Sequence, residues 1–250
     1  MRALSKILMI GAFCFTAACG GGDEDAPPGP LSSHFEMKYI IQVDVAQQTA
    51  ALDAQREWNL AQAREAKAKA DFDEMTTRLT AARNDRAKAK LEVDTAVSNK
   101  KLAQSSNDTN KINAAEKELR TAELSVKAAD ARIRYYEAYR NWLKISWRNE
   151  QHAMYWREAQ FELAKAEIAQ KNNIAPAGVT FANYPKQEAD RNKKAQAAKQ
   201  KADSGKAKAT SAREEWLKAQ QVADQASGRP SQFPDPMATQ SNTAAPTPAS

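Results

Sequence analysis

The length, composition and charge of the chain exclude most fold classes. It has 250 residues with 8 Gly and 10 Pro, and none of these lies between Leu31 and Ala175. Domains built on β-sheets need turn residues every few positions, so this interval is typical of long helices and excludes α/β and all-β folds. The 37 basic and 31 acidic residues give a net charge of +6. This mild excess predicts a charged surface and no nucleic-acid partner.

The first residues have the layout of an export signal. Arg2 and Lys6 precede an apolar run at 7–15, which is too short to be a stable membrane anchor. The run ends in the sequence TAACG at 16–20, which resembles the lipobox of bacterial lipoproteins. In that family the cysteine is acylated and becomes the first residue of the mature chain.

The resemblance implies a signal peptide at 1–18 and a lipid on Cys19. Cleavage by an ordinary signal peptidase, which would leave Cys19 as a free thiol, is the alternative. Gly20, and not Asp, follows the cysteine, which in this family favours the outer membrane of a Gram-negative bacterium, facing the periplasm. The stretch 19–32 is rich in Gly, Pro and acidic residues, so it is expected to form a flexible tether. The other cysteine, Cys14, lies in the signal segment, so no disulfide is predicted in the body.

The body begins with a long helix whose small residues repeat every seven positions. Ser33 and Glu36 fit the capping box of a helix start, so the first helix is expected at 33–105. The d positions of its heptads are nearly all alanine, from Ala54 to Ala103. Such a narrow seam lets a second helix approach closely.

A second heptad pattern follows the polar residues 106–110, which are expected to form a hairpin turn. Its helix is expected at 111–172 and carries larger side chains at a and d. In an antiparallel pair, facing positions such as Ala103 and Ile112 have residue numbers that add to 215. Small residues therefore face large ones, which predicts an antiparallel coiled-coil hairpin. Other layers with the same sum are Ala89 with Val126, Ala68 with Trp147 and Ala54 with Phe161.

A third helix is expected at 185–227, after a loop at 173–184. Its alanines recur at a spacing of three and four, so it should pack antiparallel to the second helix and end level with residue 131. Aromatic residues concentrate at 135–161, where the second helix would then have two neighbours. The predicted fold class is all-α, with a three-helix bundle at the base and a two-helix tip. The Pro-rich tail at 228–250 is expected to be disordered.

Two sets of residues are candidate interaction sites. A basic segment on the third helix is expected beside the lipid anchor and could rest on anionic headgroups, with a solvated helix face as the alternative. Leu91, Leu102 and Leu124 lie off the seam near the tip and are candidate docking contacts, or merely exposed leucines. The basic segment consists of Lys186, Arg191, Lys193, Lys194, Lys199, Lys201, Lys206 and Lys208.

No catalytic motif is present in the sequence. It contains no nucleophile elbow, no phosphate-binding glycine loop and no Cys–His pair in the body, so neither a catalytic residue nor a cofactor is predicted. Glu65 and Glu150 share a layer of the hairpin, and His152 is close in sequence, which makes a weak candidate metal set. The favoured interpretation is that one glutamate turns outward to Arg64 or Arg157.

These patterns lead to two hypotheses about function. The first is a non-enzymatic lipoprotein of the cell envelope that acts as a periplasmic coiled-coil spacer or protein-docking scaffold, with a reach of about 100 Å at the helical rise of 1.5 Å per residue. The alternative is a peripheral membrane-surface module that binds or bends anionic membrane through its basic helical bundle. The expected partner is an envelope protein or a cell-wall component, and self-association stays open.

Overall fold

The fold is all-helical in a computed structural model that describes residues 26–240. The helices are α1 (Val45–Ser105), α2 (Thr109–Lys171), α3 (Asn183–Ser227) and the short α4 (Pro236–Gln240), preceded by one turn of 3-10 helix at Met37–Tyr39. α1 and α2 form a hairpin, and α3 packs along α2. The predicted helical hairpin with a third helix is therefore confirmed. The signal peptide, Cys19 and the last ten residues of the tail lie outside the described residues.

α1 begins at Val45 and not at Ser33 as the capping box predicted. The Asp44 carboxylate accepts a hydrogen bond from the backbone N–H of Ala46 at 2.8 Å and caps the helix. The backbone of Ser33 is instead held by the side chain of Gln187, which accepts from its N–H and donates to its carbonyl, each at 2.9 Å. This long-range partner replaces the local cap, so the residues before Asp44 cross the base of the bundle.

The segment that precedes α1 helps to form a buried hydrophobic cluster at the base of the bundle. Leu31 and Phe35 are buried, and the Phe35 ring packs edge-on against Tyr184 with 6.0 Å between the centroids. Glu162 accepts a hydrogen bond from the Phe35 N–H at 2.5 Å and one from Lys165 Nζ at 2.9 Å. The expected tether at 19–32 is thus too long, because its last residues belong to the folded body.

The register of the hairpin follows the heptads. Ion pairs join Arg86 to Asp130, and Lys100 to Glu116 at 3.0 Å, and in each pair the residue numbers add to 216. The difference of one from the predicted sum arises because each ion pair joins an a position to a flanking e position. The d-position alanines of α1 that are buried along this seam are Ala61, Ala82, Ala96 and Ala103.

Two aromatic pairs depart from the predicted layers. Phe161 stacks on Trp58 with 5.8 Å between ring centroids, and Trp147 stacks on Phe72 at 5.9 Å. The layers predicted for these rings were Ala54 and Ala68. Because a large ring extends beyond its own layer, each ring reaches the next aromatic residue one turn along α1.

The turn between α1 and α2 is shorter than predicted. Asn107 adopts a positive φ of 51°, and the Asp108 carboxylate caps α2 by accepting from the N–H groups of Asn110 and Lys111 at 3.0 and 3.3 Å. An asparagine in the left-handed region followed by an aspartate cap allows this reversal.

α3 extends nearer to the tip than predicted. The hydroxyl of Thr121 lies 3.5 Å from the carbonyl oxygen of Ala226, so α3 ends level with Thr121 and not with residue 131. The connection at 172–182 folds back over the base, where Phe181 contacts Phe35, and this shifts α3 along α2. The alanine pattern is otherwise confirmed, since the residues buried at every seventh position are Ala195, Ala202, Ala209, Trp216 and Ala223.

The first part of the tail is ordered, which corrects the prediction of disorder for 228–250. The Tyr136 hydroxyl donates to the carbonyl oxygen of Pro234 at 2.7 Å, and the guanidinium of Arg132 lies 3.6 Å from the centroid of the Phe233 ring. Composition alone indicated disorder because these partners lie about a hundred positions earlier in the chain.

Candidate functional site

A cleft of about 1290 Å³ lies between α2 and α3. The α2 residues that line it occupy heptad positions outside a and d, so it opens on the side of α2 that faces away from α1. Its floor is apolar and includes Trp142, Ile145 and Gly205. A Cβ atom at Gly205 would lie 3.3 Å from Ile145 Cδ1 and 3.4 Å from Trp142 Cδ1. Glycine at this position therefore lets α3 pack closely against these two side chains of α2.

The rim of the cleft is strongly basic. Among the described residues that line this cleft, none is Asp or Glu. An anion that enters it would meet several cations over an apolar surface. The basic residues of the rim are Lys144, Arg148, Arg191, Lys194, Lys201 and Lys208, with His152 beside them.

The heptad repeat of α3 places three of these lysines in a row. Lys194, Lys201 and Lys208 each directly precede one of the buried alanines of α3. At 100° per residue, a residue that precedes a buried position lies at the border of the packed face. The three lysines therefore follow one edge of the cleft over about 20 Å, at a rise of 1.5 Å per residue.

His152 responds to this concentration of positive charge. Burial lowers its pKa from the ordinary value of 6.5, and the nearby cations Arg191, Lys194, Arg148 and Lys201 lower it further. The imidazole is therefore neutral at neutral pH. The cations of the rim disfavour further positive charge in the cleft, and by the same field they favour an anion.

The N-terminal segment closes one end of the cleft. Ala26, Pro28 and Gly29 are among the lining residues. The guanidinium of Arg191 donates to the carbonyl oxygens of Gly29 at 2.9 Å and Pro30 at 2.7 Å. The segment that leads from Cys19 thus joins the folded body at the flank of the α2–α3 pair, and not at the end of the bundle.

The predicted basic segment is divided by this geometry. Arg191, Lys194, Lys201 and Lys208 line the cleft, and the other four members do not. Lys199 forms an ion pair with Asp203 at 2.7 Å, and Lys206 Nζ lies 5.8 Å from the Trp142 ring. The eight residues therefore lie on several faces of α3 and do not form one flat surface.

Two further cations of the cleft were missed by sequence reasoning. Lys144 and Arg148 come from α2, one helical turn apart and followed one turn later by His152. Basic residues that recur every four positions on the side of α2 away from the seam could have indicated a basic surface there. They indicate a cleft only when the position of α3 along α2 is known.

The tip differs from the rest of the hairpin in width and exposure. Beyond Thr121 the described part of the chain consists of α1 and α2 alone, and Leu102 lies there with 70% exposure. Leu91 is 66% exposed but is level with residue 124, just before α3 ends. Leu124 is half-buried, so it is a poorer docking contact than the sequence suggested. Two exposed leucines in a helical pair otherwise covered by charged residues remain candidates for contact with a partner.

The candidate metal set is not brought together. Glu65 accepts hydrogen bonds from Trp147 Nε1 at 2.5 Å and Gln151 Nε2 at 3.1 Å within the seam, whereas His152 lies in the cleft. Burial raises the pKa of Glu150, and the charge of Arg64 partly opposes this rise. Across residues 26–240, no three His, Cys, Asp or Glu side chains are grouped in a way that could hold a metal ion.

Neither a membrane-spanning helix among residues 26–240 nor a similar protein helps to identify the site. Within the described part of the chain, no helix has the length and apolar character needed to cross a bilayer. Comparison with protein-family models, curated proteins and solved structures found no match to this chain.

Proposed function

We propose that the chain is a non-enzymatic lipoprotein of the cell envelope that serves as a docking scaffold. In this proposal a lipid on Cys19 attaches the flank of the rod to the periplasmic face of the outer membrane, and the two-helix tip binds an envelope protein or cell-wall partner. The observation that carries the proposal is the pair of hydrogen bonds from Arg191 to Gly29 and Pro30, because they define where the anchoring segment meets the rod.

The position of this junction sets the distance between anchor and tip. Arg191 lies over the Tyr155 ring, with 5.3 Å from the guanidinium carbon to the centroid, so the junction is level with Tyr155. From there to Thr109, at the start of α2, the helix extends about 70 Å at 1.5 Å per residue. The scaffold thus separates its attachment point from its tip by most of the length of the rod.

A second function, that of a membrane-surface module, is favoured by one specific observation. The cleft that receives Ala26 and Gly29 is also lined by six Lys and Arg side chains of α2 and α3. An anchored chain would therefore present its cations close to the bilayer, where each one contributes about 1 kcal/mol to attraction by anionic lipids. The two functions are compatible, since a surface-bound rod can still dock a partner at its tip.

Acylation is tested by replacing the two cysteines separately. Cys19→Ser should abolish labelling by a fatty-acid probe in growing cells and release the protein into the soluble periplasm. Cys14→Ser is the matched control, because Cys14 lies within the segment expected to be removed, and it should leave labelling unchanged. Labelling that persists in Cys19→Ser would contradict the lipid anchor.

Docking at the tip is tested by thiol accessibility, in a background where Cys19 is acylated and therefore unreactive. Leu102→Cys should react with a soluble maleimide in the purified protein and be protected in intact envelopes. Leu60→Cys is the control, because Leu60 is 47% exposed on α1 away from the tip, and it should react equally in both preparations. Equal reactivity of Leu102→Cys in both would contradict docking at the tip.

A further inference from the structure

We propose that the cleft between α2 and α3 is a binding site for an acidic phospholipid, with the phosphate at the basic rim and the apolar part of the lipid on the Trp142–Ile145 floor. The site goes beyond the scaffold function, because it adds a ligand that neither the lipid anchor nor the tip requires. Three observations support it: the charge of the rim, the apolar floor and the place where the N-terminal segment joins the cleft.

The charge of the rim selects an anion. Six cations line the cleft, and no carboxylate of residues 26–240 does. Two come from α2 and four from α3, so the cations face one another across the groove and an anion between the helices can contact both sides. Charge-assisted hydrogen bonds from Lys and Arg to phosphate oxygens are among the stronger polar contacts in proteins.

The apolar floor favours a ligand that has both an anionic and an apolar part over a small inorganic anion. Trp142 and Ile145, together with Ala138, Ala197 and Ala198, give the cleft an apolar surface below its cations. Inorganic phosphate would contact the rim and leave this surface in water. A phospholipid covers both, because its glycerol and upper acyl carbons can lie on the floor while the phosphate stays at the rim.

The N-terminal segment places a bilayer within reach of the cleft. Residues 19–25 connect Cys19 to Ala26, which lines the cleft, and seven residues span at most about 25 Å. A lipid on Cys19 would therefore hold the cleft close to the membrane surface. This third observation rests on the proposed acylation, whereas the charge of the rim and the shape of the floor do not.

If a membrane lipid occupies the cleft, the long axis of the rod must lie parallel to the membrane surface. The cleft opens on the flank of the rod, so a bilayer that supplies the lipid must run alongside α2 and α3. The rod then lies along the membrane, and the tip reaches its partner about 70 Å away along the surface, at a rise of 1.5 Å per residue.

Binding is tested with the full chain carrying Cys19→Ser, so that no acyl chain attaches the protein to the vesicle. This chain should sediment with vesicles of phosphatidylcholine that contain phosphatidylglycerol, and not with phosphatidylcholine alone. The use of an unacylated chain keeps this result separate from the test of the lipid anchor in cells. Equal sedimentation with both kinds of vesicle would overturn the proposal.

Two charge-matched variants decide whether the cleft itself binds. Lys194→Gln with Lys201→Gln removes two charges from the cleft, and should weaken vesicle binding by about tenfold or more. Lys186→Gln with Lys193→Gln removes two charges from the same helix outside the cleft, and should change binding by less than about twofold. Similar losses in both variants would mean that attraction is a general surface effect, which overturns the site. As a control, circular dichroism should show that both variants keep their helical content.

The source of the anion is decided by competition. A short-chain, water-soluble phosphatidylglycerol should displace the protein from vesicles, whereas inorganic phosphate at the same concentration should not. Ile145→Gln makes part of the floor next to Trp142 polar, and should remove the advantage of the lipid over phosphate. Equal competition by phosphate, or stronger competition by an acidic peptide, would overturn the assignment to a phospholipid.

Discussion

The hydroxyl of Tyr135 donates a hydrogen bond to the carboxylate of Asp235 at 2.8 Å, although 100 positions separate the two residues. Arg213 Nε donates to the same carboxylate at 2.6 Å. These contacts attach the C-terminal segment to both α2 and α3. They lie beside the aromatic core cluster in which Tyr135 stacks on Trp216 with 5.3 Å between the ring centroids.

Asp235 makes the attachment of this segment dependent on pH. Burial raises its pKa, but hydrogen bonds from Arg213 and Tyr135 outweigh that effect, so its folded pKa lies below the ordinary 3.8. A carboxylate with a depressed pKa contributes stability above its unfolded pKa, and that contribution is lost as the pH falls through the folded pKa. Asp235→Asn should therefore lower the free energy of unfolding by about 2 kcal/mol at neutral pH.

Denaturant unfolding of both proteins over a range of pH checks this prediction. The difference between them should be constant above pH 3.8, the ordinary value, and should shrink in stronger acid. A difference that is independent of pH would show that the carboxylate charge does not hold the segment.

Trp216 should be a main contributor to the stability of the bundle. It is 2% exposed, and its neighbour Leu217 is 40% exposed. Trp216→Ala should lower the free energy of unfolding by about 4 kcal/mol, because it leaves a cavity against Tyr135. Leu217→Ala is the adjacent control and should cost less than about 1 kcal/mol. Equal losses in thermal or urea unfolding would contradict the burial pattern of α3.

The ion pair at the base should show the behaviour of buried charges. Glu162 and Lys165 are both 5% exposed, so Lys165→Met removes the lysine cation from a buried carboxylate and should cost about 3 kcal/mol. Adding Glu162→Gln should recover at least half of that loss, because the amide oxygen can still accept from the Phe35 N–H. A double-mutant cycle by urea unfolding measures the coupling. If the losses of the two single variants add up to the loss of the double variant, Glu162 and Lys165 are not coupled and the prediction is wrong.

The register of the hairpin can be tested by disulfide formation. Ala89→Cys with Val126→Cys should crosslink rapidly under mild oxidation, because these two residues face each other across the seam. Ala89→Cys with Leu119→Cys, one heptad away, should not, since a disulfide needs Cα atoms within about 7 Å. Preferential crosslinking of the second pair on a non-reducing gel would mean that the helices are paired in another register.

The long helices were predictable because each carries a repeat that many residues support. The heptads of α1 and α2 give one consistent register, so no single misassigned residue changes the prediction. The start of α1 was not predictable, because Ser33 matches a capping box locally and is bound by Gln187, 154 positions away. At Ser33 a local capping box competes with hydrogen bonds to the distant Gln187 side chain. Only the folded structure shows that the hydrogen bonds to Gln187 form.

The cleft was predictable in part. The basic residues of α3 stood out in the sequence, and four of the eight line the cleft. Their partners Lys144 and Arg148 did not stand out, because the position of α3 along α2 depends on how the connection at 172–182 folds over the base. A loop of that length carries no periodic signal, so the offset between two helices is harder to predict than the helices themselves.

Measuring the orientation of the rod on the membrane tests most directly the proposal that the cleft faces the bilayer. The chain acylated at Cys19 is labelled with a fluorophore at Leu102→Cys or, separately, at Lys193→Cys, and bound to vesicles that carry an acceptor lipid. In the proposed orientation the cleft faces the bilayer and the rod lies along it, so both labels should transfer energy efficiently. Transfer from Lys193→Cys alone, with none from Leu102→Cys, would mean that the rod stands away from the membrane as a spacer, and would contradict the account.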